Sequence, residues 1–86
     1  MRVDLALKRL LLVRSRAEGK EACDVGAVRI NGVRVKASAA MHVGDRVEID
    51  YAHRTLEIEL VHEIGPNVSR AQAKTMYRVV RDEPVA

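Results

Sequence analysis

The stretch Gly26-Ala27-Val28-Arg29-Ile30-Asn31-Gly32-Val33-Arg34-Val35-Lys36 decides how the rest of the chain is read. Upstream of Gly26, apolar residues recur at helical spacing. From Val28 onward they alternate with polar ones, as in a strand that buries one face. Asn31-Gly32 marks a two-residue hairpin turn, since both central positions of that turn need positive φ. The change of period predicts an α+β fold: two N-terminal helices packed on a small, mostly antiparallel sheet, with a short C-terminal helix further on.

Working back from Gly26, a natural helix stop, Ser15-Arg16-Ala17-Glu18 reads as a capping box that starts the second helix at about Arg16. Gly19 inside that helix costs roughly 1 kcal/mol against Ala, so a packing reason is expected for it. The first helix should open near Asp4 as N-cap, with Val3, Ala6, Leu7, Leu10 and Leu11 on one buried stripe. Leu5 and Leu12 lie off the stripe and are either covered by the C-terminal segment or left exposed for a partner.

Working forward, a second hairpin runs from Val43-Gly44-Asp45 through Val47, Ile49 and Tyr51, turns at Ala52-His53-Arg54 and returns along Leu56, Ile58, Leu60 and Val61. Gly65-Pro66-Asn67 is expected to end the sheet. Ser69-Arg70-Ala71-Gln72 is another capping-box pattern, opening a short helix to about Met76, and the last residues read as frayed. Length allows one domain: residues 1–64, with a core motif at about 1–50, and residues 65–86 as a C-terminal helix and tail packed on it.

Apolar residues make up 48% of the 86-residue chain and charged residues 31%, a balance that suits a folded domain. The longest apolar run, Leu10 to Val13, is far short of the ~20 residues that cross a bilayer, so the chain reads as cytosolic with no membrane partner. Cys23 stands alone, and reads as a small buried apolar residue. The five glycines form no phosphate-binding fingerprint, and His42, His53 and His62 have no metal-ligand spacing. No catalytic residues, metal or cofactor are therefore expected.

Charge is unevenly distributed. Residues 1–36 hold nine Lys and Arg against four acids, whereas residues 37–86 hold six against eight. A basic face opposite a neutral or acidic one suits a polyanion. With only Tyr51 and Tyr77 for stacking and no Phe or Trp, folded RNA held through phosphates and shape fits better than single-stranded RNA read on aromatic rings.

Several motifs in order, Arg2-Val3-Asp4, Arg14-Ser15-Arg16-Ala17, Gly26 to Gly32, Val35-Lys36-Ala37-Ser38 and Val43-Gly44-Asp45, resemble the RNA-binding domain named after ribosomal small-subunit protein S-four. The family's usual Leu after the first Arg is Val3 here, and its large aliphatic residues in the second helix are replaced by Ala22 and Cys23. Among stand-alone forms the chain is most similar to the short ribosome-associated quality-control protein P family, which has a similar length and a tail like Ala71 to Tyr77. That resemblance implies a non-enzymatic, monomeric, cytoplasmic factor on the large ribosomal subunit. Its implied partners are large-subunit rRNA, peptidyl-tRNA and a tailing factor that extends stalled chains at their C-termini. It carries over Asp4 and Arg16 as functional positions and Arg2, Lys8, Arg14, Lys20 and Lys36 as phosphate contacts. Each also has a local reading: Asp4 as an N-cap, Arg16 as a surface cation, Lys8 and Lys20 as solvated helix faces. The alternatives are a heat-shock type S-four factor that recycles stalled large subunits, a ubiquitin-like protein-interaction domain suggested by Gly44 to Ile49, and a DNA-binding helix pair.

Overall fold

The backbone changes hand where the sequence marks it. In the computed structural model, which describes residues 1–85, Gly26 has φ 77° just past the second helix, and Asn31 and Gly32 have φ 51° and 84°. Ala86, the end of the expected tail, lies outside the described residues. The elements run α1 (Val3–Arg9), α2 (Arg16–Asp24), β1 (Val28–Ile30), β2 (Val33–Arg34), β3 (Arg46–Asp50), β4 (Arg54–Leu60), α3 (Arg70–Ala73) and β5 (Tyr77–Pro84). The strands form one antiparallel sheet in the order β2-β1-β3-β4-β5.

Alternation divides this sheet into two unlike faces. Val28, Ile30, Val47, Ile49, Leu56, Ile58 and Leu60 are buried together with Val3, Ala6, Leu7 and Leu10 of the first helical segment. Each fully buried Leu, Ile or Val contributes about 1.5–3 kcal/mol relative to exposure. The other face is a lattice of charge. Arg29, Glu48, Glu57 and Arg81 stand opposite one another across four strands, and Arg46, Glu59 and Arg78 form the next row. Arg29 reaches Asp50 at 2.9 Å, Arg81 reaches Glu48 at 3.1 Å, and Arg78 reaches Glu59 at 2.6 Å. Glu57 and Glu59 share this charged face, opposite the buried Leu56, Ile58 and Leu60.

Helix α1 starts two residues earlier than expected. Its N-cap is Arg2, and Asp4 lies inside the first turn, 2% exposed. The free amides of Val3 and Asp4 donate to the carbonyls of Ala39 and Ala37, so the loop after β2 satisfies the first two amides, and the Leu5 amide donates to the Asp4 carboxylate from within the turn. The helix closes in a Schellman arrangement: the amide of Leu11 donates to Lys8 and that of Leu12 to Leu7. Leu11 therefore sits at φ 60° and is exposed, not on the buried stripe, while Leu12 is buried and Leu5 half-buried.

At α2, Ser15 accepts from the Glu18 amide as the capping pattern implies, but the Glu18 carboxylate accepts from the amide of Arg14 rather than of Ser15. The box is thus half formed. At α3 both arms of the Ser69–Gln72 box are present, although the helix ends at Ala73. The sheet does not end at Gly65-Pro66-Asn67. Residues 77–84 return as β5, pairing along β4 with a bulge near Val80. Its register sets Arg81 opposite Glu57 and Arg78 opposite Glu59, so charge pairing replaces the apolar alternation that would have announced a strand.

Gly19 has its packing reason. A Cβ there would lie 3.0 Å from the Asp4 carbonyl oxygen and 3.3 Å from its Cα, so the α1–α2 crossing closes on backbone atoms that cannot step aside. Overpacking costs about 1–3 kcal/mol and Ala gains about 1 kcal/mol in helix propensity. Gly19→Ala is therefore expected to lower stability by about 1 kcal/mol in a urea melt, where an isolated helix would gain.

Candidate nucleic-acid interface

The crossing at Gly19 holds the Asp4 carboxylate between two arginines. Arg2 donates from Nε to Oδ1 at 3.1 Å and from a terminal nitrogen to Oδ2 at 3.2 Å. Arg16 donates from Nε to Oδ2 at 3.3 Å, and the Leu5 amide donates to Oδ1 at 2.8 Å. The acid is buried, whereas the Arg2 and Arg16 side chains are 47% and 49% exposed. Each guanidinium thus spends its inner edge on Asp4 and keeps outward N–H groups for another acceptor, an arrangement suited to phosphate. Burial alone would raise the Asp4 carboxyl, but the hydrogen bonds from Arg2, Arg16 and the Leu5 amide outweigh it and hold the group below its ordinary value. The pairing also explains Arg16 in the first turn of α2, where a cation opposes the macrodipole.

Of the other expected positions, Lys36 is joined to this fork through the loop whose Ala37 carbonyl accepts from the Asp4 amide. Lys8 lies one turn along α1 from Asp4, and Arg14 lies in the connection before α2; both are exposed. Among the described residues, Lys8, Arg14 and Lys36 have no carboxylate within 4.0 Å. Lys20 differs: its ammonium pairs with Asp24 at 2.9 Å, one turn along the same exposed helix face. Arg9 donates to the Gly65 carbonyl at 3.3 Å and ties α1 to the C-terminal segment.

Arg70 and Lys74 were missing from the expected set. Both are exposed, neither has a carboxylate partner among the described residues, and they line an open groove together with Arg14. Their spacing of four after a capping serine was the available signal. Cys23 is buried, and burial, with the charges of Asp4 and Asp24, pushes its thiol up and away from reactivity. His42, His53 and His62 are exposed, and no group of His, Cys, Asp or Glu able to hold a metal occurs among the described residues.

This helix pair with its adjoining hairpin is the architecture of an S4 domain, and the S4 domain family model matches residues 1–47. Two relatives named RQC P-site tRNA stabilizing factor are each 30% identical. That of Halalkalibacterium halodurans is aligned over 100% of this chain and 97% of its own, and that of Bacillus subtilis over 96% and 95%. The chain belongs to the S4 domain family and, within it, to the family of these stabilizing factors. The fold is also that of Heat Shock Protein 15 from Vibrio cholerae, solved as a trimer, with TM-score 0.86 over 93% of this chain and 81% of that one at 21% identity.

Replacing Asp4 by Asn keeps its shape and removes the charge that both arginines face. Because those arginines remain half in water, the loss should be about 1–3 kcal/mol and not the larger cost of stranding a fully buried ion. A carboxyl depressed in the folded state adds stability above its ordinary value of 3.8 and loses it as pH falls through the lower folded value. Urea melts of wild type and Asp4→Asn should therefore differ at neutral pH and converge in acid; a gap that does not change with pH would mean the charge plays no part.

Proposed function

We propose that this chain is a non-enzymatic RNA-binding factor of ribosome-associated quality control. It binds the large ribosomal subunit through rRNA and peptidyl-tRNA, as a monomer in the cytoplasm, and supports C-terminal tailing of stalled chains by a partner factor. The observation that carries this reading is the fork of Arg2 and Arg16 on buried Asp4, flanked by the unpaired cations Lys8, Arg14 and Lys36. On the sheet face, by contrast, Arg29, Arg46, Arg78 and Arg81 are each occupied by carboxylates. The name of the relatives, RQC P-site tRNA stabilizing factor, supports tRNA as one of the ligands.

Such a chain influences peptide chemistry by position. If it binds one placement of peptidyl-tRNA more tightly than others, a few kcal/mol of differential affinity suffice to make that placement dominant. The fixed fork sets the orientation of a phosphate segment, and Lys8, Arg14, Lys20 and Lys36 add attraction that depends on salt.

The test is recovery of the tagged protein across ribosomal fractions, with binding to structured rRNA measured at several salt concentrations. Enrichment is expected on large subunits that retain peptidyl-tRNA, above empty subunits and translating ribosomes. Arg16→Ala should lower that enrichment, shorten the tails and reduce the salt slope by about 0.7–0.9. Arg46→Ala on the sheet face should change none of these. Even recovery from all fractions, or equal effects of the two variants, would overturn the reading.

A further inference from the structure

We propose that the groove beside the helix pair receives one unpaired nucleotide of the bound RNA, its base against Leu11 and its phosphates against Arg14, Arg70 and Lys74. This extends the RNA-binding reading above and rests on it. The first observation is Leu11 itself. It occupies the residue after the cap of α1 at φ 60°, where glycine is the usual occupant, and it is 54% exposed. Neither backbone preference nor core packing accounts for a large apolar side chain at this point.

The second observation is what surrounds it. The groove measures about 860 Å³, within the roughly 300–1,000 Å³ range of small-ligand sites. Leu11, Leu12 and Tyr51 line it with apolar surface, and Tyr51 donates its hydroxyl to the Leu12 carbonyl at 2.6 Å, which ties two of these residues together. Arg14, Arg70 and Lys74 line it as well, against the single acid Glu18, whose carboxylate accepts from the Arg14 amide. Apolar and cationic side chains in one groove ask for a ligand with an apolar face and an anionic edge. A nucleotide has both, and guanidinium planes can cover the face of the base that Leu11 does not. A flush duplex offers only the anionic edge and would leave the apolar lining uncovered.

The third observation is continuity. Arg14, which lines the groove, is two residues from Arg16 of the fork, so the groove lies next to the phosphate-binding fork of the proposed function. That favours RNA over an acidic protein segment, which would match the charge of the groove without matching its position.

The test compares the full chain bound to an RNA hairpin with a flush stem, to the same hairpin with one bulged adenosine, and to one whose bulge is abasic. The bulged adenosine should be bound about tenfold tighter than the other two, the size of one base contact. Leu11→Gly should erase this preference and leave flush-stem binding unchanged; it folds, since glycine suits the left-handed backbone there. The double substitution Arg70→Ala with Lys74→Ala should also reduce the preference, whereas Arg16→Ala should weaken all three complexes alike. Equal binding of the three RNAs by wild type overturns the groove proposal and leaves the RNA-binding reading standing. Binding to none of them overturns both. A preference that survives Leu11→Gly puts the base elsewhere, and an acidic peptide whose binding is lost in Leu11→Gly, with all RNA binding unchanged, gives the groove to a protein.

Discussion

One buried carboxylate connects the core of this protein to its surface. A charge removed from water is tolerated only where hydrogen bonds replace its hydration, and Asp4 has two guanidiniums and a backbone amide to do so. Its place depends on Gly19, because α2 crosses α1 at a distance no Cβ would allow. The crossing also depends on the loop after β2, whose carbonyls of Ala37 and Ala39 satisfy the first amides of α1 and leave the Asp4 side chain free to bind arginine. Helix, crossing and loop therefore meet at a single ion cluster, whose outward edges are cations anchored on the Asp4 carboxylate.

Counting charges along the chain finds the excess of cations on the helix side but not its cause. The second half is not basic-poor because it lacks arginines; it holds Arg46, Arg54, Arg78 and Arg81, all within reach of carboxylates. Antiparallel register brings Arg29, Glu48, Glu57 and Arg81 into one row, so the sheet face neutralises itself. On the helix side stand the half-exposed Arg2 and Arg16 on Asp4 and, among the described residues, exposed cations with no carboxylate within 4.0 Å: Lys8, Arg14, Lys36 on its loop, and Arg70 and Lys74 at α3, while Arg34 on the edge strand β2 is another such cation. Arg70 and Lys74 belong by sequence to the acidic half and by contact to the basic groove.

Features decided by neighbours in sequence were legible from it. The Asn31-Gly32 turn, the stop at Gly26, both hairpins and the capping serines Ser15 and Ser69 all follow from local backbone chemistry. Features decided across the chain were not. Whether Asp4 caps a helix depends on who else satisfies the Val3 and Asp4 amides, and that partner arrives from residues 37 and 39. The strand at Tyr77–Pro84 is held by cross-strand charge and carries no apolar alternation, so periodicity passes over it. Leu11 continues a helical stripe on paper, but the Schellman closure, in which its own amide donates to Lys8, turns it outward. In the site itself, resemblance picked out Arg2, Asp4 and Arg16, and the structure supplies the contact that makes them one unit; Lys20 has a local partner in Asp24 instead.

The distinction between held and free cations bears on how a domain with so few aromatic residues can recognise a particular RNA shape. Exposed lysines such as Lys8 and Lys36 attract any phosphate backbone, and salt screens them. They raise affinity without fixing orientation. Arg2 and Arg16 are different, because Asp4 has already removed part of their conformational freedom, so less entropy is lost when their outer N–H groups close on a phosphate. A fixed pair of donors on a fixed helix crossing accepts only a backbone that presents its oxygens at the matching spacing and tilt. On the proposed reading, shape selectivity resides in the geometry of the Asp4 cluster, and the free cations set how strongly, and at what salt, the selected RNA is retained.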